Sequence, residues 1–145
     1  MKSQIIIFQS EDKNISVDVL FDNETVWLNL DQIASLFEKN KSTISRHIKN
    51  IFDEGELEPN STVANFATVQ NEGGREVKRN VDFYNLDIII SVGYRVKSLR
   101  GTQFRKWATK HLNEFEIYRA NEMKNLQSDF DKSIKKLKKD TNEPN

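Results

Sequence analysis

Residues 27–51 read WLNLDQIASLFEKNKSTISRHIKNI, and this stretch decides the fold that we expect. In each half, apolar side chains recur at steps of three and four residues, which is the period of an α-helix. The two apolar stripes consist of Ile33, Ala34 and Phe37, and of Ile44, Ile48 and Ile51. Because neither stripe is long enough to stabilise a helix alone, the two helices must pack together across a tight turn. The pattern predicts a helix-turn-helix.

Both predicted helices begin at residues that can cap them by accepting a backbone N–H. Asn29 or Asp31 can cap the first helix, and Asn40 or Ser42 can cap the second. Glu38 occupies the turn position where such motifs usually carry glycine. If Glu38 adopts a positive φ, we expect a cost of about 1 kcal/mol.

The side of the second helix that faces away from its isoleucines carries only short hydrogen-bonding or cationic groups. These residues are Lys41, Ser42, Thr43, Ser45, Arg46 and Lys49. Lysines can neutralise phosphates, residues near the helix start can reach base edges in the major groove, and Arg46 can hold one guanine bidentately. We predict that these six residues bind double-stranded DNA. A basic surface helix or a protein-binding helix pair is the alternative, since a fold does not fix a function.

Composition limits the classes of protein to which this chain can belong. Its 145 residues suffice for one ordinary domain with an appendage. It contains no cysteine, which excludes disulfides, thiolate zinc sites and cysteine nucleophiles and is typical of a reducing compartment. No apolar run approaches the roughly 20 residues of a membrane span, and the signal-peptide pattern is absent. We expect a soluble, cytoplasmic protein without membrane contact.

The formal net charge is zero, but the charges are segregated along the chain. Residues 39–52 carry four cations and no acid, and the acids Asp53, Glu54, Glu56 and Glu58 follow directly. Residues 88–113 again contain no acid, and their cations are Arg95, Lys97, Arg100, Arg105, Lys106 and Lys110. Local field rather than total charge steers a protein to a polyanion. We therefore predict two basic surfaces and assign Arg105, Lys106 and Lys110 to phosphate contacts.

β-Branched and aromatic runs flank the two predicted helices. Residues 4–8, 15–21 and 25–28 predict a small antiparallel meander. Residues 61–70 and 76–84 predict a β-hairpin across two glycines, where a winged-helix protein carries its wing. Near its tip, Arg75, Lys78 and Arg79 can contact phosphates, although a plain structural hairpin is an equal alternative. The expected class is α+β, a winged helix-turn-helix-like core with a meander, a hairpin wing and a long C-terminal helix.

Two further helices are expected after the hairpin. Asn85 caps an apolar one, and the longer one has a packing face of Phe104, Trp107, Ala108, Leu112, Phe115 and Tyr118. Beyond it, a narrow stripe suits a coiled coil, completed by a homodimer or by a downstream domain, and consists of Met123, Leu126, Phe130, Ile134 and Leu137. We expect three segments: a helix-turn-helix domain over residues 1–118, an amphipathic helix or linker over 119–139 and a disordered tail over 140–145.

Several strings also resemble a known family. They are NETVWL at 23–28, STISRHIKNIF at 42–52, EGEL at 54–57, YNLD at 84–87, IISVGYRV at 89–96 and GTQFRKWAT at 101–109. Over residues 5–118 the chain resembles the RhuM virulence-protein family, whose N-terminal region is similar to the Bro-N and antirepressor-type domains of phage and mobile elements. The resemblance implies DNA binding through the helix-turn-helix and an association with mobile or pathogenicity regions.

The sequence gives little support for an enzymatic function. His47 and His111 are the only histidines, and neither has a partner at metal-ligand spacing. The five glycines form no phosphate-binding loop. We therefore predict no catalytic residue, no metal and no cofactor. The expected function is sequence-specific DNA binding by a transcriptional regulator or antirepressor of a mobile or virulence-associated locus, with a homodimer formed by the C-terminal helix. The alternative is a protein-interaction or oligomerisation module, possibly the N-terminal targeting part of a longer protein.

Overall fold

The computed structural model describes the backbone of residues 3–141 and the side chains of residues 3–114 and 123–137. The chain has a mixed α+β architecture with a long C-terminal helix, which confirms this part of the predicted class. Its elements are β1 (Gln4–Gln9), β2 (Ser16–Asp22), β3 (Thr25–Asn29), α1 (Leu30–Phe37), α2 (Lys41–Asp53), α3 (Pro59–Thr62), β4 (Val63–Glu72), β5 (Arg75–Asn85), α4 (Leu86–Arg95) and α5 (Arg100–Thr141). The short helix α3 includes Ser61 and Thr62, which the sequence predicted to begin the first strand of the hairpin.

All five strands form one antiparallel sheet in the order β1-β2-β3-β5-β4. The predicted meander and hairpin are therefore parts of one sheet rather than separate units. They join where Leu28 of β3 pairs with Tyr84 of β5. Such a long-range pairing leaves no trace in the local periodicity from which the strands were predicted.

One face of the sheet carries the main hydrophobic core. Phe8, Val19 and Phe21 are buried on this face, and the start of α5 packs against it. The ring of Trp107 lies 5.3 Å from the ring of Phe8 and 5.6 Å from that of Phe21, in edge-on contacts. Phe104 is also fully buried, so the packing role predicted for this stripe is confirmed for these residues. Phe115 and Tyr118 lie outside the described side chains.

The opposite face of the sheet carries a smaller aromatic cluster. The ring of Phe66 lies 6.0 Å from the ring of Trp27 and 5.2 Å from that of Phe83. Towards the β1 edge the same face becomes exposed, since Ile5 and Ile7 keep 65% and 60% of their surface accessible. The sheet thus has one covered face and one face that is apolar but partly open.

The starts of α1, α2 and α4 show which predicted caps form. Asn29 accepts from the backbone of Gln32 at 2.9 Å, and the Gln32 side chain accepts from the Asn29 backbone at 2.8 Å, which makes a capping box. Asn85 caps α4 by accepting from Ile88 at 3.3 Å. Asn40 occupies the cap position of α2, but its side chain makes no capping hydrogen bond.

The chain divides into two compact units, Met1–Ala108 and Thr109–Asn145. In the second unit the predicted stripe is exposed at Met123, Leu126, Phe130 and Leu137. Helix α5 reaches Thr141, and residues 142–145 lie outside the described part of the chain, so the predicted disordered tail stays a prediction. In the part of the chain that the structure describes, no helix combines the length and hydrophobicity needed to cross a membrane.

Candidate nucleic-acid interface

Helix α2 is anchored by one side and presents the other to solvent. Ile44, Ile48 and Ile51 are buried and fix the helix against the core. Five of the six predicted contact residues are exposed, and Thr43 is half-buried. No acid occurs between Lys41 and Phe52, so this outer surface offers hydroxyl groups and cations without a carboxylate. We call the surface formed by Lys41, Ser42, Thr43, Ser45, Arg46 and Lys49 the α2 outer face.

One cation of the α2 outer face has a partner within the protein. Lys41 Nζ lies 3.1 Å from Asp31 Oδ1, and both side chains are more than half exposed. Because such a solvated pair contributes at most about 1 kcal/mol, Lys41 can exchange Asp31 for a phosphate at little cost.

The turn between α1 and α2 departs from the usual glycine. Glu38 adopts the left-handed conformation with φ 52° and ψ 47°, as the sequence led us to consider. Arg100 supports this turn by donating to the backbone oxygen of Leu36 at 2.8 Å and by lying 3.3 Å from the Glu38 carboxylate. Arg100 was predicted to belong to a basic surface, but its charge is directed to the turn.

The acidic segment after α2 is also tied to the core. Arg95 Nη2 lies 2.6 Å from Glu54 Oε2 and 3.7 Å from Glu56 Oε2, and the hydroxyl of Ser91 donates to Glu56. The hydrogen bond to Glu54 is the largest cause that raises the pKa of Arg95. Glu54 and Glu56 therefore pair with Arg95 and are not simply solvated. Sequence reasoning missed this clamp because its partners are about 40 positions apart.

His47 lies on α2 beside the outer face and is half-buried. Partial burial lowers its pKa below the ordinary value of 6.5, and the charges of Arg46 and Arg95 lower it further. The imidazole is therefore neutral at pH 7 and can both donate and accept a hydrogen bond. Among the described residues, no group of three or more histidine, aspartate or glutamate side chains could hold a metal ion.

The β4–β5 hairpin ends in a tight two-residue turn. Gly73 and Gly74 have φ of 58° and 82°, and the flanking residues Glu72 and Arg75 pair with each other. Two consecutive positive φ values are typical of the type I′ turn, which matches the twist of the strands. Arg79 donates from Nε and Nη2 to the two oxygens of Glu72, both at 2.6 Å. This hydrogen bond is the main reason why the pKa of Glu72 is lowered. The charge of Arg79 is thereby paired within the hairpin.

The three predicted hairpin residues do not share one face. Side chains alternate along a strand, and the pairing of β5 with β4 is continuous from Arg75 to Tyr84. Lys78 therefore lies on the same side of the sheet as Tyr84 and its pairing partner Leu28, which is the side that the helices cover. Arg75 and Arg79 lie on the opposite side.

Two of the predicted α5 contacts border different cavities. Arg105 borders a cavity of about 440 Å³ together with Tyr94 and Lys97. Lys106 borders a different cavity, of about 460 Å³, together with Phe8. Lys110 is exposed in the second unit. The α2 outer face is consequently the largest set of predicted contact residues that one element brings together.

Comparison with known proteins adds one result. The model of the Virulence protein RhuM family matches residues 61–139, which is more than half of the chain. The match includes the β4–β5 hairpin, α4 and most of α5, whereas α1 and α2 precede it. No curated protein and no solved structure matches the chain. The chain belongs to the RhuM virulence protein family.

Proposed function

We propose that this protein binds double-stranded DNA, with α1 and α2 as a helix-turn-helix and α2 as the helix that enters the major groove. The observation that carries the proposal is the α2 outer face, which is solvent-exposed, polar or cationic and without an acid. Of the acids after Phe52, Glu54 and Glu56 are held by Arg95, whereas Asp53 is exposed on the last turn of α2. A polyanion that approaches the start of α2 therefore meets cations first.

The residues of the α2 outer face divide into two roles. Lys41 and Lys49 contact phosphates, which fixes the position of the helix without reading sequence. Ser42, Ser45 and Arg46 lie in the first two turns of α2, where base edges are reached first. Arg46 carries most of the specificity, because its planar guanidinium can hold O6 and N7 of one guanine.

In this proposal the β4–β5 hairpin acts as a wing. Lys78 is its contact with the phosphate backbone, since Lys78 lies on the helix-covered side of the sheet and Arg79 is held by Glu72. The biological role that we propose is transcriptional regulation or antirepression at a mobile or virulence-associated locus. Membership of a virulence protein family supports this role.

Substitution of Arg46 tests the assignment. Selection from a random duplex library would define the preferred site, and fluorescence anisotropy would measure affinity for that site and for random duplex. Arg46→Lys should keep the affinity for random duplex but lose about 1–3 kcal/mol of preference at one base pair, roughly a 5- to 150-fold change. Arg46→Ala should lose both.

A control variant and the salt dependence make the experiment decisive. Lys135→Gln removes an exposed cation from α5 and should leave both affinities unchanged. Lys49→Gln should weaken binding to all sequences and reduce the slope of log affinity against log salt by about 0.9, because one phosphate contact is lost. The proposal is wrong if no duplex is bound at low salt, or if Arg46→Lys and Arg46→Ala retain the preference of the unmodified protein.

The cations of α5 form a separate part of the proposal. Arg105, Lys106 and Lys110 would add contacts to phosphates, so their joint replacement by glutamine should weaken binding equally for all sequences. An unchanged affinity and salt slope would limit the interface to α2 and the hairpin.

A second candidate function is self-association through α5. The stripe from Met123 to Leu137 is exposed, with Met123 at 69% and Leu126 at 67% accessibility, and a single helix cannot bury such a seam. We propose that two copies pair along it as a two-fold dimer. Replacing Leu126 and Phe130 by lysine should reduce the mass measured by sedimentation. An unchanged mass would contradict this pairing.

A further inference from the structure

Strand β1 is an edge strand without the features that usually prevent an edge from pairing. It is the outermost strand beside β2, so one side of its backbone has no neighbouring strand among the described residues. Its sequence, QIIIFQ, contains no charge and no proline. Ile5 and Ile7 expose 65% and 60% of their surface on the open face of the sheet. Natural proteins usually protect such edges with lysine, proline, a bulge or a covering element.

We propose that β1 pairs antiparallel with β1 of a second copy, which joins the two sheets across a two-fold axis. In an antiparallel pair, residues directly opposite each other lie on the same face. A two-fold pairing of identical strands must therefore place a residue opposite itself. If Ile6 faces the partner's Ile6, then Ile5 faces the partner's Ile7, and Ile7 faces the partner's Ile5. This register covers all four exposed isoleucines at once.

The pairing of β1, β2 and β3 within the sheet supports a second copy as the partner of β1. Ile5 pairs with Leu20, and Leu20 pairs with Trp27, so these three side chains form one apolar row across β1, β2 and β3. Addition of the partner's Ile7 beside Ile5 would extend this row and connect it with the aromatic cluster of Trp27 and Phe66. Because β1 is uncharged, the pairing brings no like charges together within the strands.

This interface is distinct from the pairing proposed for α5 and does not depend on DNA binding. The α5 stripe lies in the second unit and β1 in the first. Each surface has its own two-fold axis, so the two interfaces can be removed separately.

The absence of cysteine from the natural chain allows a test of the register by disulfide trapping. Two single variants of the full chain, Ile5→Cys and Ile7→Cys, would be mixed and oxidised gently. Opposite Cα atoms in an antiparallel pair are about 4.5–5.5 Å apart, which fits a disulfide. The mixture should therefore form a covalent dimer that contains one chain of each variant. Either variant alone should form far less, because its cysteines are offset by two positions.

A second measurement tests whether the interface forms at all. In a chain whose α5 pairing is removed by Leu126→Lys and Phe130→Lys, joint replacement of Ile5 and Ile7 by lysine should halve the mass measured by sedimentation at about 100 μM. Val69→Lys is the matched control, since Val69 is 62% exposed on the other edge strand and should leave the mass unchanged. Circular dichroism would verify that each variant is folded. The proposal is overturned if the mixed dimer is no more abundant than the single-variant dimers, or if joint replacement of Ile5 and Ile7 leaves the mass of the chain without α5 pairing unchanged.

Discussion

Replacement of Gly93 by alanine tests a close crossing of two helices. Gly93 lies on α4 at the point where this helix crosses the start of α5 and meets Phe37 at the end of α1. A Cβ atom at this position would lie 3.0 Å from Phe37 Cζ and 3.3 Å from the Cα atom of Gly101. Phe37 is only 4% exposed, so its ring has little room to move away.

The expected magnitude follows from two opposing terms. Alanine is favoured over glycine inside a helix by about 1 kcal/mol. Overpacking a filled core costs about 1–3 kcal/mol, because side chains and backbone must shift. The crowding term should exceed the helix term, so Gly93→Ala should lower the free energy of unfolding by up to about 2 kcal/mol.

Gly101→Ala provides the matched control. It lies across the same helix crossing, but the nearest atom to its Cβ, the Cα of Gly93, is 3.4 Å away, and Phe37 is 3.7 Å away. Because these are ordinary contact distances, Gly101→Ala should be neutral or stabilising by up to about 1 kcal/mol. Urea unfolding of both variants, with unchanged m-values, would compare them. If Gly93→Ala were as stable as Gly101→Ala, the reasoning about this crossing would be refuted.

Three further predictions concern the surroundings of α2. Glu38→Gly should raise the free energy of unfolding by about 0.5–1 kcal/mol, since glycine relieves the positive φ and Arg100, whose side chain is 17% exposed, keeps its hydrogen bond to the Leu36 oxygen when the ion pair is lost; a destabilised variant in urea unfolding would contradict this. Stability should fall as the pH decreases below about 6.5, because the pKa of His47 is lowered in the folded state and the unfolded chain therefore binds the proton first. His47→Gln should reduce this pH dependence in unfolding curves measured at several pH values, and an unchanged profile would exclude His47 as its source. Arg95→Gln should destabilise the protein, but less in a Glu54→Gln background; additive effects in this double-mutant cycle would show that the pair is not coupled.

Most local structure could be predicted from the sequence because it depends on local physics. The three-four spacing of Ile44, Ile48 and Ile51 is sufficient to place α2, and all three residues are buried as expected. The glycine pair at positions 73 and 74 predicts the hairpin turn, since glycine adopts the two successive positive φ values of this turn at no steric cost. The α+β class and most of the strands and helices could therefore be predicted from sequence patterns that span about ten residues.

The features that were missed depend on contacts between distant parts of the chain. Nothing near β3 indicates that Leu28 will pair with Tyr84, so the single sheet could not be derived from periodicity. The clamp formed by Arg95 and Glu54 depends in the same way on how α4 packs against α2. The separation of Lys78 from Arg79 could have been predicted from the sequence. Consecutive side chains of a strand point to opposite faces of the sheet, so no distant contact is needed to derive it.

The internal ion pairs also explain how a protein without net charge can present a basic surface. Arg95, Arg100 and Arg79 direct their charges to acids within the protein, and in doing so they compensate Glu54, Glu38 and Glu72. Arg46 and Lys49 make no ion pair among the described residues. Because salt screens exposed charges beyond about 10 Å, a DNA phosphate at α2 would respond mainly to these nearby cations. The net charge of the whole chain is therefore a poor guide to DNA binding. The Arg46 and Lys49 variants test instead how much the unpaired cations on α2 contribute.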